Sequence, residues 1–515
     1  MKLLFSCLVC LASLGTIGAE RPHFDHLRRS VVRIQAVSSS FNWLQPFFPG
    51  EDQVGLGSGF VVQTEPYPIF ATNEHVVNDA KVVTLQLLLY GEHRWVAKVV
   101  SVCPKFDLAL LVLEDSEGFS EAMKSSNITL EKLAMAERVA SMGEDVMALG
   151  FPLGQDALKI SKGNIAGNED VDGNICIQST APISPGSSGG PLLNSDGSEV
   201  LGVNFAKATE GENINYVIPA WRVSQLLRKH LTDQPAQNAS DFQRLLVQVP
   251  LPDLTTIEGN DALYKMSGGC QSGVWVSKVG HRSFLSHASP EVADHFFLVS
   301  VGGVQLDKFG MGLQPDYVAD RVFYSDLFYM FPDLNSNVTF ETCSGGTVRS
   351  HKAALNWLSE YGQGIRFVSE PTQQGFSSAY EIFGDISVME LTVNHISVFV
   401  NEHGNPGPAR WLHPDAVTQP RLVVNFVQPG TYVSNILSAG AVVTSVNGKP
   451  VSTLSEFKGA FIPEKEIWTL ETDMGKIAAL FFGESLVSQL TQSKTPGGQY
   501  LLTPSVQGAA EKLGL

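Results

Sequence analysis

Residues 184–191 read SPGSSGGP and fit G-x-S-G-G-P with Ser188 as the central serine. A serine hydroxyl attacks a carbonyl only when a base takes its proton. The oxyanion that forms also needs backbone N–H groups aimed at it, and the nucleophile and a glycine two residues before it can supply them. Here those positions are Ser188 and Gly186, with glycines on both sides that let the chain turn sharply and approach a substrate. IFATNEHVVNDA (69–80) offers a base, His75, at the end of an apolar run. FDLALLVL (106–113) offers Asp107, a carboxylate embedded in apolar sequence that needs a partner if it is buried. The chain order is therefore His, Asp, Ser. The octapeptide also matches G-x-S-x-G, but that motif needs a helix straight after the serine and a later histidine. PLLNSDGSEVLGV follows instead, two strand-like runs around an Asp196-Gly197 turn.

The elements that must position these residues are short and β-rich. VVRIQAV (31–37), GFVVQ (59–63), VVTLQLLLY (82–90), RWVAKVVSV (94–102), LALLVL (108–113), EVLGVNFA (199–206) and INYVIPA (214–220) read as strands of a barrel or sandwich. WRVSQLLRKHL (221–231) predicts a helix with Val223, Leu226, Leu227 and Leu231 on one face. The polar TDQPAQNAS (232–240) reads as a linker. Beyond it one pattern occurs twice. SVGGVQL (300–306) and SVNGKPV (445–451) each follow an apolar run and enter a Gly-containing turn, with GVWVSKV (273–279) and RLVVNFV (421–427) as upstream strands. This recurrence predicts two related domains.

A chain of 515 residues is too long for one core and predicts roughly three domains. Its 35 basic and 52 acidic residues give a formal net charge of −17, which argues against a nucleic-acid partner. Residues 1–19 carry Lys2, an apolar stretch and small residues before Glu20, the pattern of a secretory signal peptide, and no later run reaches the ~20 apolar residues of a membrane span. Past that segment the cysteines are Cys103, Cys176, Cys270 and Cys343. Their spacing fits neither a metal site nor a disulfide scaffold, and an oxidising compartment allows one or two bridges whose pairing the sequence leaves open. Asn127, Asn238 and Asn337 sit in glycosylation sequons.

GLGSGFVV (55–62), ATNEHVV (71–77), FDLALL (106–111), ALGFPLG (148–154), TAPISPGSSGGPLLN (180–194) and NYVIPA (215–220) together resemble the HtrA/Deg (Do-like) serine proteases. The downstream domains resemble that family's PDZ modules. SAYEIFGDISVMELT (378–392) and NILSAGAVVTSVNGKPVSTLSEF (435–457) look closest to its Deg9-like branch. The resemblance implies a mainly β chain: a trypsin-like double β-barrel over 24–232, a linker at 233–245, PDZ-like α+β domains at 246–365 and 366–485, and a C-terminal tail at 486–515. It implies ATP-independent endoproteolysis of unfolded or damaged exported proteins, in a periplasm or an organelle lumen, with no cofactor, no metal and a trimer-based homo-oligomer. His75 would be the general base, Asp107 its orienting group and Ser188 the nucleophile, with Gly186, Ser187 and Ser188 supplying oxyanion N–H groups. The alternative is a catalytically silent chaperone or peptide-binding protein on the same fold. Ser184 and Ser187 stand where the family usually has Asn. Ser187 also lacks the carboxylate by which trypsin-like zymogens pair with a freed N-terminus. Pro182, where trypsin carries its specificity Asp, gives no support to basic cleavage sites, so small aliphatic sites are expected. LPDLTT (251–256) is read as a domain-entry loop ahead of a carboxylate-binding loop. Phe41, Trp43, Phe47 and Phe48 precede the first motif and leave trimer contacts, a regulatory-loop anchor or ordinary core open.

Overall fold

The structure is a computed structural model that describes residues 24–207, 214–235, 241–288, 292, 294–331, 333–334, 336–356 and 362–515. The expected signal segment (1–19) and the Asn238 sequon lie outside the described residues.

Six strands close the first barrel: β1 (Val31–Ser39), β2 (Asp52–Gln63), β3 (Ile69–Thr72), β4 (Ala80–Gln86), β5 (Trp95–Cys103) and β6 (Leu108–Leu113). They run in the order β5-β4-β1-β2-β3-β6, and a β5–β6 pairing completes the ring. A second barrel follows, made of β8 (Asp145–Gly150), β9 (Lys159–Asp170), β10 (Ile175–Ser179), β11 (Pro191–Asn194), β12 (Glu199–Lys207) and β13 (Asn215–Pro219). It runs β11-β8-β9-β10-β13-β12, closes through β11–β12, and adds β7 (Ala134–Met135) beside β12. Closure removes the unpaired edges that open sheets expose. Alternate residues of β2, β3 and β6, such as Phe60, Ile69 and Leu110, are fully buried on one side, and Val61, Phe70 and Leu111 on the other. The chain is thus mainly β, with two closed six-stranded barrels at its core.

The helix Ala220–Asp233 caps the barrels. Val223 and Leu226 are buried as expected, whereas Leu231, expected on the same face, is 38% exposed. It lies near the helix end, where the apolar stripe has rotated off the barrel. The linker closes quickly: β14 (Leu245–Leu246) pairs with β5, and Phe242 is buried.

The remaining chain builds two sheets of matching order. The first contains β15 (Leu254–Ile257), β16 (Val274–Val279), β17 (Phe296–Val301), β18 (Val304–Gln305), β21 (Asn337–Ser344) and β22 (Thr347–Ala354), with a separate pair β19 (Met311–Gly312–Leu313) and β20 (Arg321–Val322–Phe323). The second contains β23 (Tyr380–Phe383), β24 (Ile386–Glu390), β25 (Leu422–Val427), β26 (Val442–Val446), β27 (Lys449–Pro450), β28 (Ile467–Thr472) and β29 (Ile477–Phe481). The path β15-β16-β17-β21-β22 matches β24-β25-β26-β28-β29, and β18 and β27 branch from equivalent strands. The repeated motif marks these branches. Gly302-Gly303 and Asn447-Gly448 have φ of +60°, +83°, +52° and +72°, so both hairpins turn on two residues in the left-handed region. Of LPDLTT, only 251–253 is loop; Leu254, Thr255 and Thr256 already belong to β15 and pair with β16.

Cys270 and Cys343 form a disulfide in the first of these modules, and Cys103 and Cys176 are free and buried in the barrels. The segment 486–515, expected as a tail, belongs to the second module instead. Helices Phe482–Ser493 and Pro504–Leu513 bury Leu486, Val506 and Ala509 in the same core as Trp468 and Phe383. Phe41, Trp43, Phe47 and Phe48 also meet this module: Trp43 contacts Phe376 and His395, and Phe47 stacks on Tyr500 with centroids 4.4 Å apart. No helix among the described residues is long and apolar enough to cross a membrane.

Candidate functional site

The barrels bring His75, Asp107 and the 184–191 turn to the face between them. His75 sits on a one-turn helix, Glu74–Val77, directly after β3. Asp107, just before β6, takes the left-handed conformation (φ 49°, ψ 48°), which swings its carboxylate back toward that helix. Its Oδ1 accepts the His75 backbone N–H at 2.9 Å, and its Oδ2 lies 2.8 Å from His75 Nδ1. Asn73, fully buried, donates to the Asp107 carbonyl at 3.0 Å and fixes the same turn from the other side. With Nδ1 facing a carboxylate, the ring carries its proton there and presents Nε2 as the basic nitrogen.

Burial pulls the His75 pKa down. The hydrogen bond and charge of Asp107, with the charge of Glu74, outweigh that pull and hold it above the ordinary histidine value. Glu74, nearly buried, is pushed up to about 7, mainly by desolvation, against a stabilising hydrogen bond from Asn78.

Ser188 lies in a turn whose conformation needs its glycines. Gly186 has φ +95° and Gly189 φ +83°. A Cβ on Gly186 would come within 2.4 Å of the Phe151 carbonyl oxygen, and one on Gly190 within 2.1 Å of that of Leu149. The Ser187 N–H donates to Ser184 O at 2.8 Å, closing a turn with Gly186 third, where a type II turn demands positive φ. The Gly189 N–H goes to Asn204 O (2.9 Å) and the Gly190 N–H to Ser187 O (3.1 Å). Among the described residues the Gly186 and Ser188 N–H groups have no partner. They are the pair that an oxyanion would need. Ser187, expected as a third donor, is corrected by this geometry, because its N–H is spent inside the turn. The Ser188 hydroxyl donates to Phe205 O at 3.3 Å, long for an O–H···O bond. No group of three or more His, Cys, Asp or Glu among the described residues is arranged to hold a metal ion.

The trypsin-like peptidase domain profile matches residues 57–203, which contain all three candidate residues. The chain is 35% identical over 202 residues to the mitochondrial Protease Do-like 4 of Arabidopsis thaliana, covering 38% of this chain and 36% of that one. It is 27% identical over 293 residues to the Serine protease Do-like HtrA of Bacillus subtilis, covering 54% and 60%. The chain thus carries a trypsin-like peptidase domain and is similar in sequence to HtrA/Do-like serine proteases. It spans between 36% and 60% of the length of these HtrA/Do-like relatives. The crystal structure of the serine endoprotease from Yersinia pestis aligns with 65% of this chain and 97% of its own at 18% identity, with a TM-score of 0.41.

Sequence reasoning passed over the buried polar residues that hold this candidate site together. Asn204 Nδ2 donates to the Gly190 and Pro191 carbonyls, Thr72 Oγ1 to Ser58 O, and Ser58 Oγ to Gly186 O. Ser58 stands in the quoted GLGSGFVV, where a serine in a strand of small residues was the available signal.

Proposed function

We propose that this chain is a serine endopeptidase of the HtrA type, in which Ser188 attacks, His75 is the general base and Asp107 orients and charges it. The observation that carries the reading is the double hold of Asp107 on His75 beside a serine turn with two unpartnered N–H groups. In the reaction the Ser188 hydroxyl turns from the Phe205 carbonyl to His75 Nε2 and gives up its proton as Oγ adds to the scissile carbonyl. The oxyanion settles on the Gly186 and Ser188 N–H groups. The imidazolium, stabilised by Asp107, then protonates the leaving amine, and water deacylates Ser188 by the same route reversed.

The substrates are unfolded or damaged proteins in an exported or organelle compartment, cut without ATP at small aliphatic sites, since Pro182 contributes no carboxylate for a basic side chain. The two matching modules are PDZ-like domains, covering 246–365 and a second that begins near 366 and takes in the C-terminal helices. They serve substrate capture by strand addition, regulation or assembly of a trimer-based oligomer.

β-Casein digestion by wild type, Ser188→Ala and Ser187→Ala tests the assignment. Cleavage that survives Ser188→Ala defeats it. The Ser188–Phe205 bond favours a second reading, a non-catalytic chaperone or peptide-binding protein on the same fold. A wild type that suppresses aggregation but cuts nothing would establish that one.

A further inference from the structure

Five consecutive carbonyl groups in the candidate oxyanion turn are each held by a donor. Ser184 O accepts from Ser187 N (2.8 Å), Pro185 O from Leu153 N (2.6 Å), Gly186 O from Ser58 Oγ (2.7 Å), Ser187 O from Gly190 N (3.1 Å) and Ser188 O from Ser58 N (2.8 Å). A peptide unit is planar and trans, so its N–H points opposite its C=O. The grip on Pro185 O therefore aims the Gly186 N–H outward, and the grip on Ser187 O does the same for Ser188. The grip on Gly186 O turns the Ser187 N–H inward to Ser184.

Two of these five bonds come from one residue. Ser58 lies on β2 of the first barrel, is fully buried, and uses both its hydroxyl and its N–H on the turn of the second barrel. Its hydroxyl also accepts the Phe151 N–H at 3.0 Å. Its own carbonyl is held by Thr72 Oγ1 at 2.8 Å, one step before the His75 helix. The hydroxyl thus both donates and accepts, and it links the 151–153 segment, which grips Pro185 O, to the Gly186 carbonyl. Leu153 makes its bond from a left-handed backbone (φ 55°) that a leucine adopts only under constraint, with its side chain 71% exposed.

We propose that Ser58 is a positioning residue for the oxyanion hole: its hydroxyl locks the Gly186 carbonyl and the 151–153 segment in the one arrangement that leaves the Gly186 and Ser188 N–H groups facing the substrate. Without the hydroxyl, Gly186 O and Phe151 N lose their partner in a buried place, and the 185–187 peptides are free to rotate. Transition-state binding then falls while ground-state binding does not.

The inference rests on the endopeptidase reading, and the test separates the two. Steady-state cleavage of an unfolded protein or a fluorogenic peptide, and inhibition by a peptidyl aldehyde whose adduct oxygen occupies the hole, are measured for wild type, Ser58→Ala, Ser58→Cys, Ser58→Thr and Ser188→Ala. Ser58→Ala is expected to lose ~10- to 100-fold in kcat and in aldehyde affinity with KM little changed. Ser58→Cys, nearly the same size but a weak hydrogen-bonding group, should fall between, and Ser58→Thr should recover most of the loss. Wild-type kcat and aldehyde affinity in the alanine variant overturn the inference; should that variant not fold, the same result in the cysteine variant does so. Equal losses in kcat and substrate binding, unrescued by threonine, reduce Ser58 to a structural role. A wild type that does not cleave, unchanged by Ser188→Ala, removes the endopeptidase reading and the inference with it.

Discussion

Asp107 holds His75 at two points, the backbone N–H at 2.9 Å and the ring Nδ1 at 2.8 Å, so one carboxylate fixes both the position of the helix turn and the tautomer of its imidazole. Asp107→Asn keeps an acceptor oxygen for one contact but places an amide against the other. The expected result is a ~10⁴-fold loss in kcat, read by peptide hydrolysis, with little change in thermal stability. A loss below tenfold would mean that the carboxylate charge is not used.

The acid limb of the activity profile should lie higher than an isolated histidine would place it. The His75 pKa is raised, so the ring stays protonated to a higher pH and the base is lost as pH falls through that raised value. Glu74, itself pushed up to about 7, is only partly ionised where the limb falls, so Glu74→Gln should shift the limb toward lower pH by a small amount at most. Profiles of kcat/KM against pH for the two proteins check this, and an opposite shift would contradict the proximity of the two charges.

Ser187 and Ser188 should separate cleanly. Ser188→Ala is expected to lose ~10⁶-fold in kcat, as removal of a nucleophile does. The Ser187 hydroxyl only accepts a 3.4 Å contact from the Ser184 N–H, so Ser187→Ala should keep kcat within about fivefold. Active-site titration and casein digestion distinguish the two.

The start of the second module is clamped to the first barrel. The Asp79 carboxylate accepts the Thr372 and Gln373 N–H groups at 3.0 and 2.9 Å, and Arg244 pairs with the buried Glu370. Arg244→Ala leaves that glutamate without its cation and should cost ~3–5 kcal/mol of stability. The checks are a lower unfolding midpoint and faster proteolytic nicking near residue 370.

The Cys270–Cys343 bridge closes a loop with a sequence separation of 73. By the chain-entropy relation it stabilises the first module by roughly 4 kcal/mol. Cys270→Ser with Cys343→Ser should lower the unfolding midpoint under oxidising conditions, and a reductant should do the same to wild type. Equal midpoints would place the bridge outside the cooperative unit.

The catalytic candidates were legible because their chemistry is written in local motifs, each carrying its own residue type and spacing. The repeated hairpins were legible for a similar reason, since two left-handed residues in a row require Gly or Asn. Ser58, Thr72, Asn73 and Asn204 were not. Each is a small polar side chain that serves a carbonyl outside its own motif, and only Ser58, among small residues of a strand, carried a local signal of its buried role. The Cys270–Cys343 pairing was hidden likewise, because it follows from strand order. The 486–515 helices escaped because their buried positions are few and small, with Ala509 and Ala510 doing what larger residues do elsewhere. Leu231 shows the converse error: the helical period was right, but the surface beneath it ended first.

The stacking of Phe47 on Tyr500 joins a loop of the first barrel to the closing helical segment of the second module. During synthesis the aromatic loop emerges hundreds of residues before its partners exist. The barrels can close while the ribosome is still translating the modules, but this clasp waits until Tyr500 has emerged. A chain cut before Tyr500 therefore keeps its barrels and lacks the fastening, which makes the clasp a register of whether the second module has been made.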